Sequence, residues 1–253
     1  TWDEVTAISK TLTKTNAAGD ILQSGLPMGT FENTEHAFEI LTTLILQAGD
    51  AIVRKSDRGV SITERTTDAL IFYTSFAEPG HPNFSWKSAS GNSLDAFAQE
   101  KAAFAFGFSR DIPTVRQKNP HLNFGILPFP QRSAARSQVV YADYVFPTVY
   151  RYSLSPVAAW RFISFMASKD AAKKYVERFG LAPARRDLLA ENAPALLLDP
   201  FYRQSLIARN WLIPNEATSR KIFSEAVNSI LLKTVKPVEA TNRLREQMRL
   251  ILQ

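Results

Sequence analysis

The chain has no cysteine, only three histidines and ten glycines, and no apolar run approaching the roughly 18 residues of a membrane span. Without cysteine there is no disulfide, no thiol nucleophile and no thiolate metal site. His36, His81 and His121 lack metal-binding spacing, and no phosphate loop, G-x-S-x-G or G-x-G-x-x-G pattern occurs. The longest apolar candidate, 40–52, is interrupted by Thr42, Thr43, Gln47, Gly49 and Asp50. No signal-peptide pattern marks the first residues.

What is present is enough to build a core. At 253 residues, 45% of them hydrophobic and 11% aromatic, the chain can form one large or two ordinary domains. The net charge of +6 invites a nucleic-acid reading, so the placement of charge matters. Basic residues are scattered and interleaved with acids, as in Lys169-Asp170 and Arg243-Leu244-Arg245-Glu246. That pattern describes a solvated surface better than a focused footprint.

The most informative stretch is 92–109. Ser93 stands where a helix N-cap would, with Asp95 in the first turn, where a carboxylate suits the helix dipole. Leu94, Phe97 and Ala98 share one face, Lys101 closes the helix, and 102–108 reads as a buried strand. Further strands are expected at 21–28, 123–127 and 138–149. Helices are expected at 1–14, 34–48 (capped by Thr34), 66–76, 112–118, 156–167, 169–179, 200–210, 218–233 and 237–252. Strands separated by helices argue an α/β fold, and Pro128 with Pro130 marks an extended crossover.

Asp95-Ala96-Phe97-Ala98 to Ser109 resembles the "DAFAxGKAAMxxGxS" segment of maltose-binding-protein-like extracellular solute-binding proteins, which serve ABC importers. Thr1-Trp2-Asp3-Glu4-Val5 resembles that family's "TWDEL" helix start, and Leu127-Pro128-Phe129-Pro130-Gln131 its "PLPQ" crossover. Ala159-Trp160-Arg161-Phe162-Ile163-Ser164-Phe165 resembles "AWxFIxFL", and Pro183-Ala184-Arg185-Arg186-Asp187-Leu188 resembles "PxRxDL". The matches run in order along essentially the whole chain.

The resemblance implies a periplasmic-binding-protein type II fold of two lobes, here lacking most of the N-terminal lobe. Residues 1–130 map to the first part of the C-terminal lobe, 131–182 to a return segment of the N-terminal lobe, and 183–253 to the rest of the C-terminal lobe. It follows that Val145, Trp160, Phe162, Ile163, Phe165 and Tyr175 should lie exposed on an uncovered apolar face. The resemblance further implies an extracytoplasmic monomer, in the periplasm or at the cell surface, that carries a solute, an oligosaccharide by preference, to permease subunits. Its membrane contact would come only through a lipid anchor upstream of Thr1. No cofactor, metal or catalytic residue is expected.

Sugar sites combine aromatic faces with amides, carboxylates and arginines. On that chemistry the candidate ligand residues are Thr30, Glu32, Asn33, Trp86, Ser109, Arg110, Tyr141, Tyr144 and Trp211. Helix capping competes for the first three, and packing competes for Trp86 and Trp211. Tyr141 and Tyr144, three apart on a strand, point to opposite faces, and the resemblance favours Tyr144 for the cleft. Adjacent Arg185 and Arg186 read as local ion pairing with Asp187. A basic module binding nucleic acid or another anionic polymer is the alternative, and a polysaccharide-processing enzyme on the same fold a third reading.

Overall fold

The computed structural model describes residues 1–54, 56–133, 138–191 and 193–252; the basic residues Lys55 and Arg136 lie outside them. Helix α1 (Trp2–Leu12) begins with a reciprocal capping box between Thr1 and Glu4. Strands β1 (Lys14–Thr15) and β2 (Ile21–Gln23) pair antiparallel and lead to α2 (Ala37–Ala48), whose C-terminus is the left-handed Gly49. Antiparallel β3 (Ile52–Val53) and β4 (Val60–Ser61) connect α2 to α3 (Glu64–Thr74). The buried Asp50 carboxylate accepts bonds from Thr63 N, 2.8 Å, and Thr66 Oγ1, 2.6 Å, joining the end of α2 to the start of α3.

The chain continues through α4 (Ser93–Ala98) and α5 (Ile112–Lys118) to β5 (Val140–Tyr141), then α6 (Pro156–Met166), α7 (Lys169–Phe179), α8 (Arg186–Leu189) and α9 (Asp199–Gln204). Strand β6 (Ala208–Arg209) pairs in parallel with β5, and α10 (Glu216–Leu231) and α11 (Pro237–Leu250) close the described chain. The main core gathers α2, α3, α10 and α11 around Phe38, Tyr73, Phe76 and Phe223. Two smaller clusters form around Trp86 and around Leu94, Ala98 and Val115.

Helices follow the expectations to within a few residues, with three local corrections. Asn92, not Ser93, caps α4, its side chain accepting from Leu94 N and Asp95 N, and α4 ends at Ala98 rather than Lys101. His36, not Thr34, immediately precedes α2. The span 200–210 divides into α9, a 3-10 turn and β6.

The expected strands are cut short, two of them where peptide groups bond elsewhere. In 21–28 only Ile21–Gln23 is a strand; Pro27 has no N–H, and the Leu26 carbonyl accepts from Ser85 Oγ, 2.6 Å. In 102–108 only a parallel bridge from Ala102 to Ser24 forms, and Phe108 N donates to Asp111 Oδ2, 2.7 Å. The span 123–127 is not a strand, and 138–149 keeps only Val140–Tyr141. The fold is mixed α/β, with paired strands of two or three residues among those described.

One side chain fastens the first helix and the backbone at 130 and 139 to this core. Trp2 Nε1 donates to Gln47 Oε1, 2.8 Å, while Gln47 Nε2 donates to Pro130 O and Val139 O, both 2.9 Å. The Trp2 ring packs edge-on against Phe72 and Phe129.

Helix α6 has no buried residue. Trp160 is 57% exposed and Val145 90%, Phe162, Phe165 and Tyr175 are also exposed, and Ile163 is half-buried. An apolar face of this kind is unusual for a monomer that covers its own core.

The tightest backbone approach is at Gly25, where a Cβ would lie 2.1 Å from the Ser9 carbonyl oxygen. Gly25→Ala is expected to cost about 3 kcal/mol or more. Gly80→Ala, at φ +84 with nothing within 4 Å of its Cβ, carries only the left-handed backbone penalty of about 1–2 kcal/mol. Urea unfolding of the two variants side by side measures the difference.

Candidate functional site

The loop leading into α2 is held from both sides. Gly29, at φ 109, lies where a Cβ would meet Ala77 N at 2.7 Å, and Tyr73 Oη donates to Thr30 O, 2.7 Å. The buried Thr30 hydroxyl donates to Asn33 Oδ1, and Asn33 Nδ2 donates to Gly91 O, 2.7 Å, and Lys87 O, 3.1 Å. Thr30 thus directs its hydroxyl into the loop itself, while the Asn33 amide ties the loop to the 87–91 segment. Trp86, 2% exposed, packs on Ala96 and Ala102, and its indole N–H has no partner among the described residues.

At the start of α2, His36 is left-handed (φ 59, ψ 29), a conformation costing a non-glycine residue about 1–2 kcal/mol. Its side chain does not cap the helix. Its Nε2 instead lies 2.7 Å from Asp111 Oδ2, in the 3-10 turn Ser109–Asp111, and its ring stands edge-on to Phe108 with centroids 4.7 Å apart. Burial pushes the Asp111 carboxyl up, but hydrogen bonds from His36 and the Phe108 amide outweigh it and hold the group below its ordinary value. The Arg110 guanidinium lies over the Phe108 ring, 4.4 Å from its centroid, and pairs with Asp143 at 2.7 Å. Ser109 is buried at the turn's first position.

Tyr141 is 8% exposed and Tyr144 42%, but the strand ends at Tyr141, so the difference does not come from strand alternation. Tyr141 N donates to Thr43 Oγ1 on α2, 3.2 Å, and its ring faces Phe108. Burial pushes the Tyr141 phenol up to about 12, with Asn210 opposing by hydrogen bond and Glu39, Asp143 and Arg220 contributing through their charges. Tyr144 lies beside Phe146 on the exposed run beyond β5.

Helix α10 packs against α2 and brings further charged groups. Arg220 pairs with the buried Glu39 of α2, stacks on Phe38 at 4.8 Å, and reaches Glu216 at 3.0 Å. One turn further on, Ser224 Oγ donates to Glu32 Oε1, 2.5 Å. Trp211, 7% exposed, stacks on Phe223, its indole N–H also without a partner among the described residues.

The structure therefore brings Ser109, Arg110 and Tyr141 together around Phe108, with Glu32 against the neighbouring face of α10. Thr30 and Asn33 shape the entering loop, Trp86 and Trp211 lie in the packing, and Tyr144 stands apart. The sequence reading missed Glu39, Arg220, Asp143 and the His36–Asp111 pair. A carboxylate inside the apolar run of α2 was the available signal for Glu39, but its partner is 181 positions away. Among the described residues no three His, Cys, Asp or Glu side chains are grouped to hold a metal ion.

Residues 1–196 match the family model described as bacterial extracellular solute-binding protein. The multiple sugar-binding protein of Streptococcus mutans serotype c is 25% identical over 164 residues, covering 63% of this chain and 38% of that protein. A Thermotoga lettingae ABC transporter solute-binding protein, solved with alpha-D-tagatose, superposes with a TM-score of 0.73 at 20% identity. A cyclo/maltodextrin-binding protein solved with maltotetraose gives 0.76 at 17%. The chain is covered completely in both superpositions but spans only 64% of each of those chains. The model match covers well over half of the sequence, and the fold agrees with it: the chain belongs to the bacterial extracellular solute-binding protein family, whose members work outside the cytoplasm.

Proposed function

We propose that the chain is part of a two-lobed receptor that binds an oligosaccharide outside the cytoplasm and delivers it, as a monomer, to the permease of an ABC importer. The observation that carries this reading is the family match over 1–196. The site chemistry supports it: the half-buried Phe108 offers aromatic surface over the buried Tyr141 and Ser109, and Arg110, Asp143, Glu32 and Arg220 offer cationic and carboxylate groups beside α2. Tyr144 extends the surface along the exposed run, while Thr30, Asn33, Trp86 and Trp211 hold the walls in place.

Residues 1–130 and 183–253 form one lobe in this proposal, and 131–182 belongs to the other. The shared core of α2, α3, α10 and α11 and the absence of buried residues in α6 both favour that division. Ligand touching both lobes would stabilise the closed arrangement by population shift. Locally paired cations, such as Arg54–Asp57, Lys87–Asp20 and Arg243–Glu239, favour this reading over an anionic-polymer binder.

Titration of the chain's tryptophan fluorescence with maltotetraose, maltotriose and tagatose is expected to give a saturable change for at least one sugar. Silence across a panel of mono- and oligosaccharides, with a response to peptides or polyamines, would overturn the carbohydrate assignment.

Glu39 is buried and loses its counter-ion in Arg220→Ala, so that variant is expected to lose about 1–3 kcal/mol in chemical denaturation. Glu216→Ala should cost under about 1 kcal/mol, because Glu216 is exposed.

The lobe division is checked with a hydrophobic dye, which should bind the chain through α6. Trp160→Lys with Phe165→Lys is expected to abolish most of that signal without lowering the unfolding midpoint.

A further inference from the structure

We propose that His36 and Asp111 are a positioning pair, which fixes the Phe108 ring and the Arg110 guanidinium in the orientation that meets ligand. The proposal rests on the sugar-binding reading of this site but assigns a role to two residues that stand behind the contact surface.

Three features of His36 are otherwise unexplained together. It holds a left-handed backbone next to α2, leaves the helix uncapped, and turns its ring to a carboxylate 75 positions away. Non-glycine residues in such a conformation persist where the surroundings determine them, and these cluster at functional sites. Here the determinant is Asp111. Its Oδ2 receives both His36 Nε2 and the Phe108 amide at 2.7 Å, so the imidazole acts on the backbone of Phe108 through one oxygen. The His36 ring edge also meets the Phe108 ring directly.

Phe108 in turn is the platform on which Arg110 lies, and Arg110 reaches Asp143 just beyond β5. The start of α2, the 3-10 turn and the segment after β5 are thus linked through the His36–Asp111 and Arg110–Asp143 pairs, of which the first need not touch ligand. A surface guanidinium has many rotamers, and fixing it before ligand arrives removes an ordering cost from binding.

The groups facing His36 are both anionic: Asp111, and Glu35, whose Oε1 lies 4.0 Å from Nε2. Glu35 itself accepts from Asn92 Nδ2, 2.8 Å, and Arg110 is the cation beside Asp111. Protonation of the imidazole would add charge to its bond with Asp111, and loss of that proton would leave a neutral N–H donor in the same place. A carboxyl held below its unfolded value contributes stability above about pH 4 and loses it as pH falls through the folded value.

Two measurements on the chain test the pair. In NMR titrations, the Phe108 amide should shift with the same midpoint as the His36 imidazole, whatever that midpoint is. His36→Gln and Asp111→Asn should each abolish that shift. An amide indifferent to His36 would overturn the proposal whether or not any sugar binds.

The second measurement is maltotetraose affinity by tryptophan fluorescence. His36→Gln keeps a donor near Nε2 and should bind within about threefold of the parent, with a flatter pH profile. His36→Asn tolerates the left-handed backbone but is too short to reach Asp111, and should bind about tenfold more weakly. Equal affinity in a folded His36→Asn variant would show that the pair is structural only and would overturn the positioning role. If the parent chain ignores maltotetraose, the sugar assignment fails for that ligand and the amide titration decides the pair alone.

Discussion

The amide of Gln47 is the interaction on which the arrangement of this chain depends. It sits in the last turn of α2, almost wholly buried, and all three of its hydrogen bonds go to distant segments: one from the indole of Trp2 and two to the carbonyls of Pro130 and Val139. A buried amide that lost these partners would leave three polar groups unsatisfied, at about 1–3 kcal/mol each. Apolar contact alone would bring these segments near α2 but would not set their register. The directionality of hydrogen bonds does that here.

Helix α2 is accordingly the axis of the site as well as of the core. Its C-terminal end is joined through Asp50 to the start of α3, its middle receives Tyr141 on Thr43, and its first turn carries Glu39 to Arg220. The residue just before it is His36, which faces the turn holding Ser109 and Arg110. The candidate ligand groups come from four separate parts of the chain, yet each is referred to the same rigid rod. Positions on regular elements are defined more sharply than positions on loops, so a polar group one contact away from α2 inherits that definition.

Much of this was legible before the structure. The period of apolar residues placed α6 and α7 closely, and the run of family-like segments identified the architecture that the comparisons then supported. The strands were less legible, because an extended apolar segment reads the same whether its peptide groups pair with a neighbour or with side chains. Residues 24–28 and 102–108 lie alongside each other at their starts, but Ser85 and Asp111 take the groups that a ladder would have used. The candidate site was partly legible for a similar reason. Ser109 and Arg110 follow a recognisable segment, whereas the Glu39–Arg220 and His36–Asp111 pairs are created by the fold across long sequence separations. Indole burial was undecidable from local context at Trp86 and Trp211, since each follows an irregular stretch without periodicity.

The Gln47 amide also has a mechanical consequence. Its two N–H bonds diverge from one planar nitrogen, so the carbonyls of Pro130 and Val139 cannot move apart without breaking one of them. The stretches of backbone at 130 and 139 are therefore clasped to each other as well as to α2, and neither can shift without straining the other.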